Sequence, residues 1–203
     1  EAEACAHESI LRSDLAPFIP QCFHTIRSEK HTMLYIEDLT MRYSRPCVMD
    51  IKMGVRTFLE SELTKSKPRV DLAKKVIDID PTLLTKDERT NGITKLRYMQ
   101  VREELSSTAM LGLRIEGIRL ASGEEIEIRR TLREPEEIRS KLEQFVQSRA
   151  EVGAAFLAIL EKLRSALEAS NWFHSHELVS SSLLFIYDDN PTPTYPPKLW
   201  MID

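Results

Sequence analysis

The chain has 203 residues, 42% hydrophobic and 30% charged, which fits one compact domain or two small lobes. No apolar run approaches the length of a membrane span, and the charged N-terminus has no signal-peptide core. A net charge of −4 argues against general nucleic-acid binding, so a polyanion site would have to be a local basic patch. Cys5, Cys22 and Cys47 form no metal spacing and leave an odd thiol, which reads as reduced cysteines and a cytoplasmic location.

Along the chain the elements follow a mixed order. Residues 1–15 read as a helix with Ile10, Leu11 and Leu15 apolar, ended by Pro17 and Pro20. Residues 22–26 and 33–36 are short strands joined by the polar turn Ser28-Glu29-Lys30. The second strand runs into a turn at Glu37 to Leu39. An apolar run, Cys47-Val48-Met49, then delivers Asp50 and Lys52, and Gly54 follows. Residues 58–66 and 70–79 look helical, separated by Pro68. Residues 111–120 and 125–129 alternate like antiparallel strands around Ser122-Gly123, the pattern of a hairpin. Residues 135–147 and 149–169 are amphipathic helices, the second with Val152, Phe156, Ile159 and Leu163 on one stripe. Apolar strands at 178–186 and 199–202 bracket a proline-rich loop over 188–197. His174 and His176 would share one strand face, but no third metal ligand is evident and two surface histidines are the simpler account.

In an extended segment side chains alternate faces, so Asp50 and Lys52 project from the same side. A carboxylate beside an ammonium suits transfer of an anionic group. The carboxylate can orient or deprotonate a hydroxyl while the cation meets the charge on the phosphoryl group. On those residues alone an ordinary strand-end ion pair is the simpler reading. A local basic patch also exists: Lys95, Arg97, Arg102, Arg114 and Arg119 stand against Glu103, Glu104 and Glu116. A helix over 95–103 puts Lys95, Tyr98 and Arg102 on one face at spacings of three and four. As a charge run alone, a solvated helix face anchored by the tyrosine is the better reading.

The wording of these segments is more specific than their chemistry. Pro-x-x-x-Asp-x-Lys-x-Gly at Pro46 to Gly54 resembles the hallmark motif of the inositol polyphosphate kinases. Residues 46–63 (PCVMDIKMGVRTFLESEL), 93–118 (ITKLRYMQVREELSSTAMLGLRIEGI) and 176–185 (HELVSSSLLF) are similar to the inositol 1,4,5-trisphosphate 3-kinase branch. Trp200-Met201-Ile202-Asp203 resembles the opening of that family's Ile-Asp-Phe-Gly metal motif.

The resemblance implies an α+β, two-lobed, kinase/ATP-grasp-like fold. The rest of a small lobe and a hinge would occupy residues 1–45, and a helical substrate-binding insert residues 57–110. It implies ATP and Mg²⁺ as cofactors and inositol 1,4,5-trisphosphate as substrate, phosphorylated on its 3-hydroxyl to the 1,3,4,5-tetrakisphosphate. Asp50 and Lys52 would be catalytic. Lys95, Tyr98 and Arg102 of the insert, with Arg119, would hold the substrate phosphates. Backbone groups of Glu37 and Leu39 would hold adenine, and Asp203 with Ser182 would hold the metal.

Departures from the pattern are equally definite. Ser180 stands where the family has Gly. The chain starts after the small-lobe lysine strand, with Glu3 at the position of its partner, and stops at Asp203. A deletion between Pro68 and Lys74 removes an arginine used near the substrate. A fragment of a kinase is therefore the expectation, with calmodulin as a partner only through a segment outside this chain. The alternatives are a broader multikinase, against which the long insert argues, and an inactive inositol-phosphate-binding fragment.

Overall fold

The computed structural model describes residues 2–28, 31–58 and 67–202. Helix α1 (Ala2–Ile10) precedes an antiparallel hairpin of β1 (Cys22–Arg27) and β2 (Thr32–Ile36). After it comes β3 (Pro46–Met53), the inner strand that carries the Asp-x-Lys segment. Four short helices follow: α2 (Val70–Ile77), α3 (Lys86–Asn91), α4 (Lys95–Leu105) and α5 (Thr108–Leu111). The chain then returns through β4 (Leu113–Arg119), helices α6 (Pro135–Val146), α7 (Ala150–Ala169) and α8 (Asn171–Ser175), β5 (Ser182–Asp188) and β6 (Lys198–Ile202). Strands β4, β3, β5 and β6, in that spatial order, make one antiparallel sheet.

Alternation along β3 gives the sheet two unlike faces. Cys47, Met49 and Ile51 are buried, while Val48, Asp50 and Lys52 are half-buried on the opposite side. On the buried face they join Leu183, Phe185 and Tyr187 of β5 and Leu199 and Met201 of β6 beneath α6 and α7. Phe145, Val152, Phe156 and Leu163 fill that space, with Phe156 edge-on to Phe185 at 5.2 Å between ring centres. The pairing of β3 with β4 slips between Asp50 and Ile51: Asp50 faces Gly117 and Ile51 faces Ile115, leaving Glu116 as an extra residue. That bulge keeps both Ile115 and Ile118 in the core, which an unbroken two-residue period would forbid.

Helices α2 to α5 form an insert with a small core of its own, made of Leu72, Ala73, Val76, Leu84, Ile93 and Val101. Thr85 and Glu88 close a capping box at the start of α3, and Thr94 caps α4 through the Arg97 N–H. Gly92, at φ +87°, lies so close to the 69–70 backbone that a Cβ there would sit 2.4 Å from the Arg69 carbonyl carbon. Buried Glu103 of α4 holds the segment that leaves β3: its carboxylate accepts from the Thr57 N–H at 2.7 Å and the Thr57 hydroxyl at 3.0 Å.

Several expectations need correction. The first helix stops at Ile10, five residues before the expected end, and tight turns carry the chain on to Ile19. Residues 59–66 of the expected helix over 58–66 lie outside the described residues. Residues 125–129 are not a strand. They keep one bridge, Arg119 to Glu125, and the Ile126 N–H donates to Ile118. A bulged strand bends and twists, and the pairing on its outer edge ends within a few residues of Glu116. Strand β5 begins at Ser182 rather than Leu178, because Ser180 has left-handed backbone at φ +66°. His174 and His176 sit at the end of α8 and not on a strand. Their rings hydrogen-bond the Glu168 and Trp172 carbonyls, and His176 stacks on Trp172 at 4.1 Å. No metal-ligand cluster occurs among the described residues.

The entry to β3 is fixed by Asp188 at the end of β5. Its buried carboxylate accepts from the Ser44 N–H at 2.9 Å, the Arg45 N–H at 3.0 Å and the Asn190 N–H at 3.1 Å. Burial pushes this carboxyl up, but these hydrogen bonds together outweigh it and hold the group below the ordinary Asp value. A depressed folded pKa gives stability that is present above the unfolded value near 4 and is lost as the pH falls below it. Asp188→Asn should lower the unfolding free energy by about 1.5–3 kcal/mol near pH 7. In urea titrations the gap to the parent should narrow as the pH drops below about 4; a gap independent of pH would contradict the clamp.

Candidate functional site

The open face of the sheet is built by register. Asp50 faces Gly117 of β4 and Leu184 of β5, and Lys52 faces Arg114 and Ser182. Partners directly opposite share a face, so Asp50, Lys52 and Ser182 project together, as the Asp-x-Lys spacing predicts. Gly54 ends the strand at φ +92°, a conformation that disfavours any side chain, and its N–H donates to Gly112 at 2.8 Å. The Lys52 ammonium donates to the Ser180 carbonyl at 2.7 Å, which holds it over the β3–β5 seam. Ser180 carries no glycine-like freedom, yet takes φ +66° to aim that carbonyl. Ser182 is fully buried, and its hydroxyl has no hydrogen-bond partner among the described residues. A buried hydroxyl without a partner beside a lysine fits a divalent cation or a phosphate oxygen as its missing partner.

Toward the hairpin, this face opens into a cavity of about 520 Å³ lined by Leu34, Ile36, Leu39, Leu184, Met201 and Ile202, with Ile10, Ile19 and Trp172 behind them. Its walls are mostly apolar, suited to a flat heterocycle. The chain crosses its rim at residues 37–40. There Glu37 is held twice by Gln21, its N–H donating at 2.9 Å and its carboxylate accepting at 3.0 Å. Asp38 accepts from the Thr40 hydroxyl at 2.7 Å and N–H at 2.9 Å, which pulls its carboxyl below the usual range. Among the described residues nothing hydrogen-bonds the Glu37 carbonyl or the Leu39 N–H. An acceptor and a donor two residues apart can read the edge of a planar base.

Toward the insert, Asp50 and Arg119 line an open cavity of about 720 Å³ with Val48, Glu116, Gly117 and residues 125–128. A further cavity of about 390 Å³ contains Tyr98, Arg102 and Arg114, and the two share Glu116 and Ile128. The structure thus brings Asp50 and Arg119 together and sets Tyr98 and Arg102 next to them. Lys95 lines neither cavity. Tyr98 packs on the insert core with the Lys75 ammonium 5.9 Å from its ring. The rest of the basic patch divides by partner. Arg97 is spent on Glu88 and the Leu83 carbonyl, and buried Arg114 on Glu116 and Thr108, so these two brace the insert. Arg102 reaches Glu116 only at 3.4 Å and stays 40% exposed. Asp203 lies outside the described residues. Sequence reasoning missed the part played by residues 125–130, of which 125–128 line the first cavity and 128–130 the second; the Arg129-Arg130 pair after the hairpin turn was the available signal.

The fold that carries this face has a counterpart among solved structures. An inositol phosphate multikinase from S. cerevisiae, solved with ADP and Mn²⁺, matches 97% of this chain and 82% of its own with a TM-score of 0.58. At 17% identity that likeness establishes the fold, an α+β kinase fold. The inositol polyphosphate kinase family matches residues 33–203, and the chain belongs to that family. It is 39% identical over its whole length to human inositol-trisphosphate 3-kinase C, and 40% identical over 91% of its length to rat inositol-trisphosphate 3-kinase A. The chain spans 30% of the first relative and 40% of the second.

Because a non-glycine residue in the left-handed region costs about 1–2 kcal/mol, Ser180→Gly should stabilise the protein by roughly 1 kcal/mol and raise its melting temperature. A lower melting temperature would mean that the Ser180 side chain, and not its backbone, is what this position requires.

Proposed function

We propose that this chain is the core of an ATP-dependent inositol 1,4,5-trisphosphate 3-kinase. The observation that carries it is Asp50 and Lys52 on one face of β3, between the apolar cleft at the hinge and the arginine-lined cavities at the insert. Adenine would lie in the cleft on the Glu37 carbonyl and the Leu39 N–H, which points its phosphates toward Lys52 and Ser182. The inositol ring would lie over Asp50, with Arg119 and Arg102 on its phosphates and Tyr98 beside them; Lys95 would serve at the edge of this set.

In this arrangement the Asp50 carboxylate accepts the proton of the 3-hydroxyl as its oxygen bonds to the γ-phosphorus. The bond from that phosphorus to the bridging oxygen breaks and ADP leaves. Lys52 neutralises charge on the equatorial oxygens, giving up part of its hold on the Ser180 carbonyl. Bound Mg²⁺ would supply charge neutralisation at the β- and γ-phosphates, and Ser182 and Asp203 are the residues proposed to hold it. The insert, with its own core and with Glu103 holding the segment that leaves β3, favours a selective trisphosphate kinase over a broader multikinase. A cytoplasmic enzyme suits the free thiols of Cys22 and Cys47, and any calmodulin control would reside outside this chain.

Asp50→Asn and Lys52→Ala should each lower turnover roughly a hundredfold or more without changing the melting temperature by more than a few degrees. Turnover like the parent's in either variant would remove the pair from the mechanism. No turnover in the parent, with trisphosphate still bound, would leave only an inactive binding module.

Arg102→Ala should weaken inositol 1,4,5-trisphosphate binding by roughly ten- to a hundredfold and leave ATP affinity nearly unchanged. Arg102→Lys should recover only part of the loss, since a point charge lacks the planar fork. Arg164, exposed on α7 and among the described residues paired only with Glu168, is the control, and its alanine variant should bind like the parent. Equal trisphosphate binding by Arg102→Ala and the control would contradict the assignment of the insert.

A further inference from the structure

The cavity beside the insert has a wall that the Asp-x-Lys motif and the insert do not account for. Residues 129–132 form a turn in which the Leu132 N–H donates to the Arg129 carbonyl at 3.0 Å. The turn is held from behind. Leu132 is 4% exposed, and its carbonyl accepts from the Ser107 N–H at 3.1 Å, just past the end of α4. The first corner of the turn is Arg130, which lines the same cavity as Tyr98 and Arg102.

The four arginines of that cavity differ in what they already hold. Arg114 is committed to Glu116 and Thr108, Arg102 reaches toward Glu116, and Arg129 is paired with Glu137 of α6. Arg130 makes no hydrogen bond or ion pair among the described residues. Among the described residues Glu116 is the single carboxylate lining the cavity, and with Arg129 paired to Glu137 it is left facing Arg102, Arg114 and Arg130. A cation on an anchored turn, with its donors unspent, costs little to leave in water and gains a charge-assisted pair when an oxyanion arrives. Val76, Ile79, Val101 and Leu105 line the rest of the cavity, so it takes an anion attached to a carbon frame better than a bare ion.

We propose that Arg130 is a substrate-binding residue: it holds a phosphate of the inositol polyphosphate that lies away from the hydroxyl over Asp50, opposite Arg102. This rests on the kinase function proposed above and extends its phosphate-binding set to a turn outside the insert. Glu116 and Ile128 line both this cavity and the one over Asp50, so the site for the distal phosphate adjoins the site for the reacting hydroxyl.

Calorimetric titration of the full 203-residue chain with inositol 1,4,5-trisphosphate, and separately with a non-hydrolysable ATP analogue, tests it. Arg130→Ala should weaken trisphosphate binding roughly tenfold or more and leave the ATP analogue unaffected, and Arg130→Lys should recover part of the loss. Repeating the titration with the three bisphosphates that each lack one phosphate identifies the group held. For one of them, parent and Arg130→Ala should bind alike. Arg130 is exposed and spends nothing on the fold, so both variants should melt with the parent. If Arg130→Ala bound trisphosphate like the parent while Arg102→Ala did not, the inference would be overturned and the kinase reading would stand. If neither substitution mattered, the substrate site itself would be misplaced. Equal loss across all three bisphosphates would mean a diffuse field effect and would also overturn the assignment.

Discussion

Strand β3 lies between β4 and β5, so its register is set by two ladders at once and each of its side chains is committed to one face. A slip of one residue would send Cys47, Met49 and Ile51 into the open and drive Asp50 and Lys52 into the core. The cost of burying that carboxylate and ammonium is what makes the register firm. Asp188 fixes where the strand begins, by taking the N–H groups of residues 44 and 45, and Gly54 fixes where it ends. The open face with Asp50 and Lys52 is thus a by-product of a packing constraint.

The same constraint explains the bulge at Glu116. Strand β4 must supply Ile115 and Ile118 to the core, three residues apart, and only an extra residue between them allows it. Its consequence is chemical. Glu116 and Gly117 both turn to the open side, one to hold arginines and the other to leave space beside Asp50, where a Cβ at 117 would meet nothing within 4 Å. Edge distortion at the site and satisfaction of the core are two results of one inserted residue.

Much of the fold was legible in the sequence because its elements have clean periods. Strand β3, helices α6 and α7, and the β1–β2 hairpin read directly from alternation or from a 3.6-residue stripe. The failures have a common cause, which is tertiary choice among locally equivalent options. Residues 125–129 alternate like a strand, but the bulged neighbour gives them only one bridge. Five cations between 95 and 119 look alike in sequence, yet Arg97 and Arg114 are braces while Arg102 and Arg119 face cavities. Which cation is spent depends on acids supplied by the fold, such as Glu88 nine residues away from Arg97. Lys95, Tyr98 and Arg102 share a face of α4, but of the three only Tyr98 and Arg102 line the cavity. The left-handed backbone at Ser180 carries no signal in composition, because the residue that would announce it is replaced.

In the proposed reaction β3 presents one carboxylate to one hydroxyl of a polyphosphorylated ring held from two sides. The most direct measurement is the position of the new phosphate. Incubation of this chain with Mg²⁺, ATP and inositol 1,4,5-trisphosphate, followed by ³¹P and ¹H NMR of the product, should show the 1,3,4,5-tetrakisphosphate alone. Phosphate on the 2- or 6-hydroxyl, or a mixture of positions, would contradict the account.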